Sequence, residues 1–259
     1  MIVRDITNAL EAFAPLSIQE SWDNSGLCIG SPEDEVTGVL VGFDCTPALI
    51  DEAVATGCNM VITHHPLIFK GLRQISTDDP VGEAVVKAIR AGVAVYAAHT
   101  TADKVIAGVS GAMARRLGLQ DIEVLSPEDG GTGLGAVGNL PKPLDSKFFI
   151  DLVKERFNLD IVRASHLIGT PVSRVAMCGG SGASELEAAR RSGAQAYLTG
   201  DVSYHLFFTP KDFLVLDIGH FESEVEIVAI LFDVLRKKFP TFAVRTSAQL
   251  RSSNPVFYY

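Results

Sequence analysis

The feature that most constrains the fold is a short apolar run that ends in two adjacent histidines. Residues 60–63 predict a buried strand, His64 and His65 follow it directly, and the proline after them cannot continue a strand. Residues 38–44 predict another buried strand, and a Thr-Pro pair behind it is typical of a helix N-terminus. This strand, helix, strand order indicates an α/β fold with parallel strands and a right-handed crossover.

A similar order of elements returns in the second half of the chain. The predicted elements there are a strand over 174–178, a helix over 183–191, a strand over 196–199 and a long helix over 222–238. We therefore expect two similar lobes with mostly parallel sheets flanked by helices, formed by residues 1–125 and 126–259. The Gly- and Pro-rich stretch 126–143 is the expected boundary between them.

Composition narrows the class of function. The chain has 259 residues, 47% of them hydrophobic, and a formal net charge of −9. An acidic chain is poorly suited to nonspecific binding of DNA or RNA. No apolar stretch approaches the roughly 18 residues that a membrane span needs. The four cysteines are scattered and the first residues do not resemble a secretory signal. We expect a cytoplasmic protein that handles a small molecule or cations, without nucleic acid or membrane partners.

Histidines concentrate where the predicted strands end. Of the six histidines, the five that lie at or just beyond strand ends are His64, His65, His99, His205 and His220. Ligand crevices of open α/β sheets lie at the carboxyl ends of their strands. His220 and Glu224 are four residues apart at a predicted helix start, which places both side chains on one helix face. The candidate metal ligands are His64, His65, Asp103, His220 and Glu224.

The chemistry of this donor set indicates two divalent cations. Three imidazoles and two carboxylates without a thiolate disfavour a structural zinc knuckle. They suit zinc, iron, manganese, cobalt or nickel. Two ions can share an activated water and polarise a substrate oxygen, and two carboxylates are able to bridge them. The alternative is that these residues are only hydrogen-bonded polar groups at the starts of loops.

Two glycine-rich stretches carry weaker signals. Residues 133–138 match G-x-G-x-x-G, but they follow no predicted strand and open no predicted helix, so a dinucleotide site is not expected. Residues 179–182 lie between a predicted strand and a predicted helix. They form either a tight turn or a site whose amides receive a phosphate or carboxylate.

In order along the chain, these motifs resemble the YbgI-type, or Nif-three-like, dinuclear metal-centre proteins, which are often named as GTP cyclohydrolase homologues. The matching pieces are residues 20–26, Thr63-His64-His65-Pro66, residues 99–103, Cys178-Gly179-Gly180-Ser181-Gly182, Thr199-Gly200-Asp201 with Tyr204-His205, and Gly219-His220 with Glu224. One departure is Thr101, where an asparagine is expected. The aspartate at Asp103 is retained.

The resemblance implies that the five candidate ligands hold two metal ions between the lobes. It also implies that His99, Asp201 and His205 line the same cavity, that no extra domain is inserted at 126–143, and that chains assemble into a ring-shaped homo-oligomer, often a hexamer.

Two functions remain open. The first is a metal-dependent hydrolase acting on a nucleotide-like substrate, with His99 or His205 transferring protons. The alternative is a non-catalytic metal-binding, metal-chaperone or scaffold protein.

Overall fold

The structure is a computed structural model that describes residues 1–258, and it has an α/β fold. Its strands are β1 (Gly26–Ile29), β2 (Val39–Val41), β3 (Met60–Thr63), β4 (Ala94–Ala97), β5 (Gln120–Pro127), β6 (Gly133–Leu144), β7 (Arg163–Ala164), β8 (Val172–Met177), β9 (Ala196–Thr199), β10 (Leu214–Asp217) and β11 (Val244–Thr246). Its α-helices are α1 (Val3–Phe13), α2 (Pro47–Ala55), α3 (Pro80–Ala91), α4 (Thr100–Asp103), α5 (Val109–Leu117), α6 (Ser146–Phe157), α7 (Leu186–Arg191), α8 (His220–Glu224) and α9 (Ile227–Lys238). Short 3₁₀ turns cover Leu16–Ile18, Asp129–Gly131, Ala183–Glu185, Tyr204–Phe207 and Leu250–Ser252.

The chain divides into two compact units. Unit 1 comprises Met1–Ala102 and the stretch from Ile227 onward, and unit 2 comprises Asp103–Glu226. The strands form one sheet in each unit, so the predicted α/β class with two sheets flanked by helices is confirmed. The division differs from the boundary expected at 126–143, because the chain leaves unit 1 earlier and returns to it with α9 and β11.

Unit 1 is built on the predicted strand, helix, strand pattern. Its sheet has the order β1-β4-β3-β2-β11, in which β4, β3, β2 and β11 run parallel and β1 pairs antiparallel with β4 at the edge. Thr46 caps α2, since its side chain accepts a hydrogen bond from the Leu49 amide at 3.2 Å, and Pro47 opens the helix. In register, Thr63 of β3 lies opposite Ala97 of β4, so both strands end at the same sheet edge.

The core of unit 1 holds the strand ends in place. Asp79 caps α3 by accepting from Gly82 at 2.9 Å, and Gly92 ends it in the left-handed conformation with φ 64°. Helices α2 and α3 pack on the sheet through fully buried side chains that include Ile50, Ala53, Val61, Ala84, Ala88 and Val95. Each large aliphatic side chain buried in this way contributes roughly 1.5–3 kcal/mol.

Unit 2 has a mixed sheet with the order β5-β6-β8-β9-β10-β7. Strands β8, β9 and β10 are parallel, as the repeated pattern predicts, while the pairs β5–β6, β6–β8 and β10–β7 are antiparallel. Most of the stretch 126–143 is β6 and its turn, not a linker. Its glycines allow this, because Gly135 has φ 73° and a Cβ there would lie 2.9 Å from the Met177 carbonyl oxygen.

The long helix predicted over 222–238 is broken in two. α8 ends at Glu224 and α9 begins at Ile227, which is where the chain passes from unit 2 to unit 1. Within residues 1–258, no helix combines the length and the apolar character that crossing a membrane requires.

Candidate metal centre

Three histidines meet at one edge of the unit 1 sheet. His64 and His65 follow β3 directly, and His99 lies two residues beyond β4. Because β3 and β4 are parallel neighbours in register, their carboxyl ends present these side chains together. Each imidazole offers a nitrogen, and the three nitrogens lie within 4.8 Å of one another. The ring centroids are 4.8 Å apart for His64 and His65, and 5.4 Å from each of them to His99.

The buried ring of His64 is held in one tautomer by a backbone carbonyl. Its Nδ1 lies 2.9 Å from the carbonyl oxygen of Ala98. A carbonyl oxygen only accepts, so Nδ1 carries the proton and donates, and Nε2 carries the lone pair. Phe43 stacks on the ring at a centroid distance of 5.9 Å and an interplanar angle of 24°. Both contacts fix the direction of the ring.

Carboxylates hold the other two rings. His65 Nδ1 lies 2.7 Å from Asp44 Oδ1, and His99 Nδ1 lies 2.6 Å from Asp23 Oδ1. Metal-binding histidines commonly donate the N–H of their second nitrogen to a carboxylate, which fixes the tautomer and makes the other nitrogen a better donor to the metal. All three rings therefore have the arrangement expected of metal ligands that act through Nε2.

Asp23 is the most heavily hydrogen-bonded of these carboxylates. Its side chain is fully shielded from solvent. Besides the His99 ring, it accepts from the Asn24 amide at 2.7 Å, the Ser25 hydroxyl at 2.6 Å, the Thr100 hydroxyl at 2.5 Å and the Thr100 amide at 3.2 Å. Burial alone raises the pKa of this carboxyl, but the hydrogen bonds from His99, Ser25 and Thr100 hold it well below its ordinary value. Asp23 is therefore a stable anion that ties the loop after α1 to the end of β4.

Unit 2 carries a second group at the ends of its parallel strands. Asp201 follows β9 and His220 follows β10, and these strands are neighbours. His220 Nδ1 lies 2.7 Å from Asp201 Oδ2, and its Nε2 lies 3.0 Å from Glu224 Oε2. The spacing of His220 and Glu224 on α8 therefore puts both on one face, as the sequence predicts.

The carboxylate of Asp103 lies close to that of Glu224. Asp103, at the end of α4, and Glu224 each offer a carboxylate oxygen, and these oxygens lie within 4.8 Å of each other. Burial, and then the negative charges of these two carboxylates and of Glu185, raise the pKa of the Cys178 thiol well above its ordinary value. Like charges this close repel one another, so the arrangement favours a cation beside them.

The glycine loop after β8 packs onto this group. A Cβ on Gly180, whose φ is +58°, would lie 2.1 Å from Glu224 Oε1. The Gly180 amide donates to the Ser223 hydroxyl at 2.9 Å, and the Gly182 amide donates to the Thr199 hydroxyl at 2.9 Å. Since hydroxyls within unit 2 already occupy these amides, the tight-turn alternative fits the loop better than anion binding does.

The two candidate proton-transfer residues lie in different surroundings. His99 belongs to the unit 1 trio. His205 is exposed on the 3₁₀ turn Tyr204–Phe207, with its ring 5.3 Å from that of Tyr204. None of the candidate ligand groups among residues 1–258 includes His205.

Asp23 and Asp44 are not among the site residues that the sequence predicts, although Asp23 lies in the matching motif 20–26. Their signal was available, since Asp44 follows the predicted strand 38–44 and Asp23 lies in the polar loop beside the only tryptophan. The sequence does not show that Asp44 pairs with His65 or that Asp23 pairs with His99. A carboxylate that orients a histidine is recognised only by the hydrogen bond between them.

The residues present fit divalent cations. Oriented imidazoles in unit 1, and an imidazole with crowded carboxylates in unit 2, are the nitrogen and oxygen donors that first-row metal ions bind. No cysteine belongs to these groups among the described residues. The site is therefore unlike a thiolate-bound structural zinc site.

The class that fold and site define is an α/β protein with candidate metal-ligand groups, and comparison with known proteins identifies the family. The family model for Duf34/NIF3 (NGG1p interacting factor 3) matches residues 1–255. The chain belongs to this family. The family expected from the sequence motifs is thereby confirmed.

Two relatives from bacteria carry one common name. A Clostridium acetobutylicum protein named GTP cyclohydrolase 1 type 2 homolog is 33% identical over 257 residues, which cover 97% of this chain and 96% of that protein. A Lactococcus lactis protein of the same name is 35% identical over 241 residues, covering 91% of this chain and 92% of its own length.

Solved structures share the fold. A hypothetical protein of Staphylococcus aureus superposes with a TM-score of 0.92 at 26% identity, covering 100% of this chain and 99% of that one. A Bacillus cereus protein related to NIF3 superposes with a TM-score of 0.91 at 23% identity, with the same coverage. A protein named ybgI, of unknown function, gives a TM-score of 0.83 at 22% identity over 95% of this chain and 97% of its own.

Proposed function

We propose that this protein binds two divalent metal ions and uses them to hydrolyse a nucleotide-like small molecule. The proposed ligands are His64, His65, Asp103, His220 and Glu224. The observation that carries the proposal is the hydrogen bonding of the rings: Nδ1 of His64, His65 and His220 each meets a backbone or carboxylate acceptor at 2.7–2.9 Å. A ring held in this way presents Nε2 as a donor to a metal.

Each group of residues has a distinct part in this proposal. Bound divalent ions supply Lewis-acid activation of water and of a substrate oxygen. The carboxylates of Asp103 and Glu224 supply negative charge, which favours cations over a competing anion. His99 is suited to accept a proton, since its Nδ1 donates to Asp23 and the buried anion stabilises the imidazolium that results. His205 is the second candidate for proton transfer.

The nucleotide-like substrate follows from the name that the relatives carry. Proteins 33% and 35% identical to this chain are named homologues of a GTP cyclohydrolase. That name describes those proteins, and it makes guanine nucleotides the first substrates to test here. The ring-shaped homohexamer stays a prediction, for which the solution mass is six times that of the 27.7 kDa chain.

Metal content tests the ligand assignment. Protein purified without chelator is expected to carry about two divalent ions per chain by elemental analysis. His64→Ala and Glu224→Ala are each expected to lose much of this metal, and the double variant nearly all of it. The control variants are His166→Ala and Glu187→Ala, which remove an exposed histidine and an exposed glutamate outside the groups.

The outcomes separate the alternatives. A folded double variant with wild-type metal content contradicts the ligand assignment. If the wild type holds its metal but hydrolyses no nucleotide in a screen with the native metal restored, the non-catalytic metal-binding, chaperone or scaffold function replaces the hydrolase. Turnover that disappears with the metal and returns with it supports the hydrolase.

A further inference from the structure

An open aromatic patch adjoins the histidine trio within unit 1. Trp22 and Phe69 are 58% and 43% exposed, although both are large apolar rings. Their centroids lie 6.0 Å apart, and each lies about 6 Å from the ring of His99, at 6.1 and 6.0 Å. All three pairs meet edge to face, with interplanar angles of 64°, 73° and 83°. We define Trp22 and Phe69 as the aromatic patch.

The patch is held in position by the loops that carry it. Trp22 directly precedes Asp23, whose carboxylate is anchored to His99 and Thr100. The side-chain amide of Asn24 donates to the carbonyl oxygen of Ile68 at 2.5 Å, which joins the Trp22 loop to the Phe69 segment. Such tethers reduce the entropy lost when a ligand binds to the exposed ring faces.

We propose that the aromatic patch binds the planar heteroaromatic ring of the substrate. This inference rests on the proposed function and names the part of the substrate that the site recognises. Aromatic side chains with exposed faces stack on any nucleobase-like ring, whichever base it is, because every such ring has a π-face. A ligand with an oxygen anion for the metal ions and a flat ring for the patch uses both features at once.

Charge distinguishes this ligand from the other common guest of aromatic surfaces. Quaternary ammonium groups also bind between aromatic rings. The patch, however, lies about 6 Å from His99, whose nitrogen clusters with those of two proposed metal ligands. A bound divalent cation there repels an organic cation and attracts an anion. The position therefore favours an anionic ligand that carries a neutral ring.

The composition of the chain supplies a direct probe. Trp22 is the only tryptophan, so intrinsic tryptophan fluorescence reports on the patch alone. In the zinc-loaded full chain, guanosine 5′-monophosphate is expected to quench this fluorescence saturably. Ribose 5-phosphate, which has the phosphate but no ring, is expected to bind without comparable quenching. A titration with zinc alone gives the baseline, and tetramethylammonium tests the cation alternative.

Variants separate ring binding from fold. Phe69→Leu keeps the reporter and is expected to weaken binding of guanosine 5′-monophosphate about tenfold, while binding of ribose 5-phosphate stays unchanged. Trp22→Leu, followed by calorimetry, is expected to show the same pattern. The matched control is Phe148→Leu, which removes a 64% exposed phenylalanine on α6 of unit 2 and is expected to bind like the wild type.

The result that overturns this inference differs from the one that overturns the proposed function. Equal binding of guanosine 5′-monophosphate and ribose 5-phosphate, or wild-type nucleotide affinity in Phe69→Leu and Trp22→Leu, removes the ring assignment while metal content stays intact. Stronger quenching by tetramethylammonium than by the nucleotide replaces the ring with a cation. Loss of the hydrolase proposal shows instead as absent metal or absent turnover, whether or not the nucleotide quenches Trp22.

Discussion

Replacing Asp23 by asparagine tests the idea that buried acceptors prepare the histidine trio. In the wild type, Asp23 Oδ1 accepts from the His99 ring and Oδ2 accepts from the Thr100 amide. An asparagine has only one accepting oxygen. Backbone amides, which cannot reverse their role, donate to both oxygens of Asp23: Asn24 to Oδ1 at 2.7 Å and Thr100 to Oδ2 at 3.2 Å. The single oxygen of the asparagine can stay opposite only one of them. In either orientation we expect one backbone amide to lose its acceptor and the His99 ring to lose its charged acceptor.

The structure sets the magnitude of this change. Hydrogen bonds to a charged acceptor contribute about 1.5–3 kcal/mol each, and neutral ones about half of that. Because the hydroxyls of Ser25 and Thr100 are able to rotate and accept, Asp23→Asn is expected to lower the free energy of unfolding by roughly 1–3 kcal/mol. Asp23→Ala removes the acceptor of these hydrogen bonds at a position that is fully shielded from solvent, and it is expected to lower the free energy of unfolding by roughly 3–5 kcal/mol.

The assay follows stability and zinc binding together. Denaturant unfolding of chelator-treated protein gives the stability change, and competition with a chromogenic chelator gives zinc affinity. His99 is not among the five proposed ligands, but its nitrogen lies within 4.8 Å of those of His64 and His65. We therefore expect Asp23→Asn to weaken zinc binding about 10-fold, the lower end of the effect that outer-shell partners have. Asp151→Asn, an exposed change on α6, is the control. Wild-type zinc affinity in a folded Asp23→Asn protein refutes the reasoning.

Two further predictions address the glycine loop and the thiols. Gly180→Ala is expected to cost at least roughly 1–2 kcal/mol in unfolding free energy and to weaken metal binding, because φ is +58° and the new Cβ would meet Glu224 Oε1 at 2.1 Å. Gly169→Ala, with nothing within 4 Å, is the control, and equal melting of the two variants contradicts the prediction. Burial raises the pKa of Cys28 to about 11 and that of Cys45 to about 12, so iodoacetamide at pH 8 is expected to leave both unmodified in the native protein while all four cysteines react after denaturation. Because the pKa of both thiols is higher in the folded than in the unfolded protein, their contribution to the free energy of unfolding is fully present below pH 9.0 and is lost as the pH rises toward 11–12. Fast alkylation of the native protein at pH 8, seen by mass spectrometry, contradicts the burial of these thiols.

Elements with local signals were predictable from the sequence. The Thr-Pro start of α2 and the glycine at the end of α3 act within one helical turn, so the residues that form each boundary are neighbours in the chain. The strands β3 and β9 are fully buried apolar runs, and the sequence marks their limits to the residue. The edge strands β7 and β11 have no such apolar run, since their edge positions are largely exposed.

Other elements depend on tertiary partners. The Gly-rich stretch 126–143 resembles a linker in composition, but β5 and β8 pair with it on both sides and make it a strand. The apolar periodicity of 222–238 continues through residues 225–226, yet the helix breaks there. Hydrophobic period alone does not show that the chain passes from one packed unit to the other at that point.

By itself the sequence determined which side chains stand at the strand ends, because burial of an apolar run fixes where it stops and which polar residue comes next. His64 and His65 are placed by this rule alone. Only the tertiary structure decided which nitrogen of each ring carries a proton. That choice depends on acceptors such as Ala98 and Asp23, and the Asp23–His99 pair joins residues 76 positions apart in the chain. A hydrogen bond at that separation exists only after the loops have folded together.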